Sequence, residues 1–163
     1  MEQREYEEII KDIIQHPEFQ KRKEYMHHEN ESVYEHSLKV SFLAYRIAKF
    51  LHLKNSRDIA IGGILHDFYD KPWQERTEKT KLLKKHGFVH AKEASKNAYR
   101  YFPEYMNPKI NDMIIKHMFP LNVKPPKYLG SWIVNLSDDI VSLNILKHPS
   151  ALPKYIGIKK RKK

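Results

Sequence analysis

The chain has 163 residues, no cysteine and a net charge of +10, and 40% of its residues are hydrophobic. This length is typical of one domain, the composition excludes global disorder, and the lack of cysteine excludes disulfides and thiolate metal sites. Because the amino-terminus is charged and no long apolar run is present, we expect no secretion signal and no membrane span, and hence a cytoplasmic protein.

The first part of the chain contains two patterns typical of amphipathic helices. Residues 2–15 form a charged pattern that ends at His16-Pro17, because the residue before a proline avoids the helical region. Its inward positions are Ile9, Ile10, Ile13 and Ile14. A second helix is predicted over residues 34–53, with one face formed by His36, Val40, Leu43, Ile47 and Leu51.

A third helix is predicted from Ser56, a residue type that caps helices, to the adjacent pair His66-Asp67. The pair Gly62-Gly63 inside it lowers helix propensity by roughly 1 kcal/mol for each glycine. We expect close packing against a neighbouring backbone to offset this cost.

Prolines and glycines separate the predicted helices in the second half of the chain. Residues 69–76 predict a loop or a broken helix, and residues 77–86 predict a helix that stops at Gly87. Later helices are predicted over residues 90–102, from Asn107-Pro108 to just before Pro120, and over residues 130–146, with a proline-rich loop at 119–128. Since no repeat and no convincing strand is present, the sequence predicts an all-α fold of roughly six to eight helices.

Three ionisable residues fall on the apolar faces of different predicted helices: His36, His117 and Asp138. A lone inward histidine is more often a hydrogen-bonded core residue, and that alternative holds for each histidine taken singly. A buried carboxylate without a partner costs several kcal/mol, which a bound cation would offset. The three together therefore favour a shared ion, and without cysteine its ligands would suit Fe, Mn, Zn or Mg.

The order of these residues resembles that of the HD superfamily of metal-dependent phosphohydrolases. The likeness is carried by YEHSLKVSFLAYRIA with His36, by IGGILHDF with His66 and Asp67, and by IVNLSDDIVS with Asp138 rather than Asp139. It covers roughly residues 25–147 and implies that 1–163 form a single HD-domain helical bundle with a basic tail at 159–163. It also implies one metal ion on His36, His66, Asp67 and Asp138.

Two further motifs extend this resemblance to HD proteins that hold two metals. HGFVHAKEA supplies His90, and IIKHMFPL supplies His117. The resemblance implies a second ion on His90 and His117, with Asp67 as the bridging, catalytic ligand. Two divalent ions are then expected, with Fe or Mn favoured and Zn, Mg, Ni or Co as alternatives, and a water between them would attack the phosphate.

The loop after the doublet departs from the commonest HD pattern, because Lys71 comes four rather than three residues after Asp67. It is more similar to a small bacterial subgroup with a Tyr/Asp/Trp-rich loop. Lys71 is predicted either to act on the substrate phosphate or to be a solvated loop lysine. Asp70 is a candidate for substrate binding or for orienting a ligand histidine, and His28 for lining the pocket mouth or forming a surface pair with His27.

Three functions follow from these patterns. The favoured one is hydrolysis of a phosphate ester or anhydride in a nucleotide or small phosphorylated metabolite, which the positive charge would attract. The first alternative is a di-iron oxygenase, because some HD proteins with the same ligand order use oxygen. The second is a nucleic-acid-binding module with a structural metal, using residues 159–163, although such a basic end is more often a solvated tail. The oligomeric state is left open.

Overall fold

The computed structural model of the chain describes residues 2–28, 31–70 and 83–143. Within these ranges the fold is a bundle of α-helices, so the all-α prediction is confirmed. The helices are α1 (Glu2–Gln15), α2 (Pro17–Gln20), α3 (Val33–Phe50), α4 (Ser56–Leu65), α5 (Leu83–Tyr101), α6 (Pro108–Lys116) and α7 (Leu129–Ser142), with 3₁₀ turns at Lys21–Lys23 and Pro103–Tyr105. None of these helices is both long and apolar enough to cross a membrane.

A two-stranded antiparallel ribbon precedes α3 and was not predicted. It pairs β1 (Met26–His28) with β2 (Glu31–Ser32). Strands this short carry no readable alternation of apolar and polar residues, which explains the miss. Ser32 ends the ribbon and begins α3 through a capping box, in which its hydroxyl accepts from the Glu35 N–H and the Glu35 carboxylate accepts from the Ser32 N–H.

Several predicted helix ends differ from the observed ones. Asn55, not Ser56, occupies the cap position of α4. Gly87 lies inside α5 rather than after a helix, so the predicted stop there is wrong. One interior glycine costs a helix only about 1 kcal/mol, and the buried alanines of α5 offset that cost by packing on the core. Leu51, expected to face inward, follows the end of α3 and is exposed.

The helices that carry the predicted site pack against one another. α3 contacts α4 and α7, α4 contacts α6, and α6 contacts α5 and α7. The main apolar cluster combines α1, α3, α4, α5 and α6 around Tyr6, Ile10, Leu38, Ile64 and Phe68. A smaller cluster joins α3, α4, α6 and α7 through Val40, Ile59, Met113 and Val134. This arrangement turns the polar residues on the inner faces of α3, α4, α6 and α7 towards each other.

The glycine pair in α4 lets two helices approach closely, as predicted. A Cβ added at Gly63 would lie 2.8 Å from Ser41 Cα, in the backbone of α3. A Cβ added at Gly62 would instead meet the side chain of Met113. The Ser41 hydroxyl donates to the Ala60 carbonyl across the same α3–α4 contact, at 2.7 Å.

We expect Gly63→Ala to lower the free energy of unfolding by roughly 1–3 kcal/mol, because overpacking against a backbone outweighs the gain in helix propensity. Gly62→Ala is the companion variant, and a comparable loss is expected because its Cβ would lie 2.9 Å from Met113 Cβ, which can move only with the backbone of α6. Urea unfolding of wild type and the two variants measures both losses. Equal stability of both variants and wild type would contradict the close approach.

Candidate metal centre

The structure brings together the residues that the sequence singled out on separate helices. We call the group the His/Asp cluster; it consists of His36, His66, Asp67, His90, His117 and Asp138. His36 lies in the first turn of α3, His90 in α5 and Asp138 in α7, while His66 and His117 lie at the carboxyl ends of α4 and α6. All but His90 are buried, and the His90 side chain is 12% exposed.

One half of the cluster joins α3, α4 and α7. His36 Nε2 donates to Asp138 Oδ1 at 3.0 Å. His66 Nε2 lies 3.8 Å from the same oxygen and 3.6 Å from Asp67 Oδ2. The exposed neighbour Asp139 faces away, which agrees with the helix phase that favoured Asp138.

The other half joins α5 and α6 to the same aspartate. His90 Nε2 and His117 Nε2 lie 3.0 Å apart. Both face Asp67 Oδ1, at 3.5 and 3.4 Å respectively. The two oxygens of Asp67 therefore face different groups of imidazoles, as a carboxylate shared between two ions requires.

The donor atoms fit one metal ion in each half. Ligand atoms from His36, His66 and Asp67 lie within 4.8 Å of one another, and so do those from Asp67, His90 and His117. Atoms that each lie about 2.0–2.4 Å from a single ion have such separations. His66 Nε2 is buried and makes no hydrogen bond within the described part of the chain, although a bound cation would satisfy it. Imidazole and carboxylate donors suit Zn, Fe or Mn.

Two of the histidines are oriented by the ends of their own helices. His66 Nδ1 donates to the Gly63 carbonyl and His117 Nδ1 to the Ile114 carbonyl, each at 2.7 Å. The last carbonyls of a helix have no backbone partner, so they are available to such a ring. Both Nε2 atoms are consequently turned towards the centre of the cluster. Asn135 of α7 donates to the carbonyls of His117 and Phe119 and holds the end of α6 in place.

Burial and neighbouring charges shift the pKa values of several residues in the cluster. Burial acts to lower the pKa of His36, but the hydrogen bond with Asp138 and the nearby carboxylate of Glu31 outweigh it and raise this pKa to about 10. Burial likewise opposes ionisation of Asp138, but the bond from His36 and the charge of nearby imidazoles hold its pKa well below the usual range. Burial lowers the pKa of His66 to about 4, so His66 is neutral at physiological pH.

Asp70, the last residue described directly after the doublet, is held by a buried arginine that the sequence did not single out. Arg22 is buried, lies 4.1 Å above the Phe68 ring and donates to Asp70 Oδ1 at 3.1 Å. The Asp70 N–H donates to Glu93 Oε1 at 3.1 Å. Arg22 lies in the charged run KRK, a pattern typical of surface, so the sequence gave no sign of its burial.

The remaining predicted residues are placed only in part. The described contacts of Asp70 are to Arg22 and Glu93, so the expected contact with a ligand histidine is not among them. Its role in substrate binding stays a prediction. Lys71 lies outside the described residues, and of His28 only the backbone, in β1, is described. Their roles in binding substrate stay predictions too.

A family model described as HD domain matches residues 33–143. No curated protein and no solved structure matches the chain.

Proposed function

The chain belongs to the HD domain family, and from this premise we propose that it is a metal-dependent phosphohydrolase. Its substrate would be a phosphate ester or anhydride in a nucleotide or a small phosphorylated metabolite. The observation that carries the proposal is that four imidazoles and two carboxylates from five helices or helix ends meet in one largely buried cluster. A cluster of this kind costs free energy unless cations occupy it.

The proposed ligands divide between two ions. One ion would be held by His36, His66, Asp67 and Asp138, and the other by His90, His117 and the same Asp67. When bound, such ions supply an activated water and neutralise the charge that develops on the phosphate oxygens. The chain itself orients the imidazoles, shares one aspartate between the two halves, and surrounds the reacting groups with buried side chains.

The charge of the chain supports an anionic substrate. The excess of positive charge attracts phosphates over the range set by salt screening. Lys71 directly follows Asp70, which Arg22 and Glu93 hold, and we propose that its ammonium group contacts the substrate phosphate. The nucleic-acid alternative depends on residues 159–163, which lie outside the described part of the chain, and stays a prediction.

A metal-replete activity screen tests the proposal. The protein, purified without chelator and supplied with Mn²⁺, is incubated with nucleotides and generic phosphoesters in the presence and absence of oxygen. Release of phosphate without oxygen is the expected result. A di-iron oxygenase would use the same histidines and aspartates, and turnover that strictly requires oxygen would replace the hydrolase proposal with that one.

Metal binding is expected to depend on pH through His36. With its pKa raised to about 10 in the metal-free protein, His36 carries a proton at neutral pH, and an ion must displace it. Affinity should therefore rise with pH, by up to about tenfold per unit from this proton, and level off above the raised pKa. Calorimetric titration with Mn²⁺ in buffers of different ionisation enthalpy measures the released proton. An affinity that does not change between about pH 6 and pH 9 would contradict this.

A further inference from the structure

The Nδ1 atoms of the buried histidines in the cluster differ in the acceptor that they face, which is either a backbone carbonyl or a carboxylate. His66 and His117 each donate from Nδ1 to the carbonyl three residues earlier, at the carboxyl end of a helix. His36 cannot donate to an unpaired carbonyl of its own helix in this way, because it lies in the first turn of α3. The unpaired backbone groups at the start of a helix are N–H donors, which cannot accept a proton from an imidazole. The Nδ1 atom of His36 therefore needs an acceptor from outside its helix.

Glu31 occupies the place of that acceptor. Its Oε2 atom lies 3.7 Å from His36 Nδ1, an ion-pair contact just longer than a hydrogen bond, on the side of the ring opposite to the Nε2 atom that faces Asp138. Its other oxygen, Oε1, accepts from Lys39. The Glu31 side chain is only 18% exposed, so little water competes for its carboxylate.

The backbone fixes Glu31 at this point. It lies in β2, opposite His28 in the ribbon, and directly precedes Ser32, whose capping box with Glu35 begins α3. A shift of β2 would break this cap. The ribbon and the cap thus hold Glu31 against the first turn of the helix that carries His36.

We propose that Glu31 is a positioning residue for the metal ion held by His36, acting through the Nδ1 atom of that histidine. The proposal rests on the metal site described under the proposed function. A carboxylate that accepts from Nδ1 fixes the ring and its tautomer and makes Nε2 a more basic ligand than an imidazole backed by a neutral carbonyl. The two halves of the cluster are then unequal, since within the described residues the buried His66 and His117 are backed by carbonyls.

The test isolates the ion that His36 would hold. The parent is the full chain with His90→Ala and His117→Ala, which is expected to keep one site. Glu31→Gln keeps a neutral acceptor of the same size, Glu31→Ala removes the acceptor, and Lys39→Gln is the matched control that removes only the other partner of Glu31. Zn²⁺ affinity is measured by competition with a chromophoric chelator, and the visible spectrum of bound Co²⁺ reports the ligand geometry.

We expect Glu31→Gln to weaken Zn²⁺ binding about tenfold and Glu31→Ala by up to about a hundredfold. Lys39→Gln should stay within about twofold of the parent, because it leaves the contact between Glu31 and His36 intact. The Co²⁺ spectrum should change in the Glu31 variants and not in Lys39→Gln. The unfolding midpoints without metal, measured for every variant, separate weakened binding from loss of fold.

Two results would overturn the inference. The first is parent-like affinity in both Glu31 variants, which would leave the proposed metal site intact. The second is equal weakening by Lys39→Gln and Glu31→Gln, which would assign Glu31 to a structural ion pair. A parent that binds no Zn²⁺ would overturn the proposed metal site, and this inference with it.

Discussion

Replacing Asp67 with asparagine is expected to lower the metal content from about two ions per chain to less than one, and kcat by roughly 10³-fold or more. Asp67 is the residue on which both halves of the cluster depend, since its Oδ1 atom faces His90 and His117 and its Oδ2 atom faces His66. The amide keeps the size of the side chain but removes the negative charge and offers only one good donor oxygen. Both proposed ions therefore lose a ligand through one substitution.

The measurement combines metal analysis with single-substrate kinetics. Asp139→Asn is the matched control, because Asp139 is an exposed carboxylate one residue from a cluster member. It should keep the metal content and activity of wild type. An Asp67→Asn variant with two ions and full activity would remove Asp67 from the metal centre and, with it, the shared ligand of the proposed mechanism.

Half of the cluster was accessible from helical phase, which determines which side chains face a common core, whereas His66, Asp67 and His90 were implied only by the resemblance to HD proteins. His36 and Asp138 were expected to point inward from the apolar residues around them, and both are buried. The glycine pair in α4 was expected at a close approach, and Gly63 lies against the backbone of α3 at Ser41. These features depend on local periodicity and residue size, and a single sequence displays both.

The residues that hold the cluster and its neighbours in place could not be predicted from the sequence. They act through contacts between segments that have no periodic pattern. Arg22 lies in a 3₁₀ turn and reaches Asp70, a residue 48 positions away. Glu31 lies in a two-residue strand, and it comes close to His36 only because of the path that the ribbon takes. Charged residues in such short elements are predicted to be exposed, because charged side chains are rarely buried, and only the packing shows otherwise.

The helix that continues through Gly87 shows the opposite case, in which a local sequence pattern predicted a helix end that the fold does not have. A glycine followed by a new apolar pattern is typical of a helix end. Here the glycine lies inside α5, whose buried alanines Ala91, Ala94 and Ala98 pack on the core beyond it. Tertiary packing overrides a propensity difference of about 1 kcal/mol, because burying one apolar side chain contributes as much. His90 projects from this continuous helix into the cluster, so its position does not depend on a loop.

Removing His90 and His117 together is expected to reduce the bound metal from about two ions to about one and the rate of phosphate release by roughly a hundredfold or more. These two imidazoles lie 3.0 Å apart and both face Asp67 Oδ1, and the His117 ring also packs edge-on against His66. The ligands of the other half keep their own contacts, because His36 is bonded to Asp138 and His66 to the Gly63 carbonyl. Metal analysis of the double alanine variant under metal-replete conditions measures the effect. His52→Asn, at an exposed histidine with a positive φ that asparagine tolerates, is the control. If wild type never exceeds one ion per chain, His90 and His117 do not bind a second metal, and the histidine pair then serves the substrate or the fold.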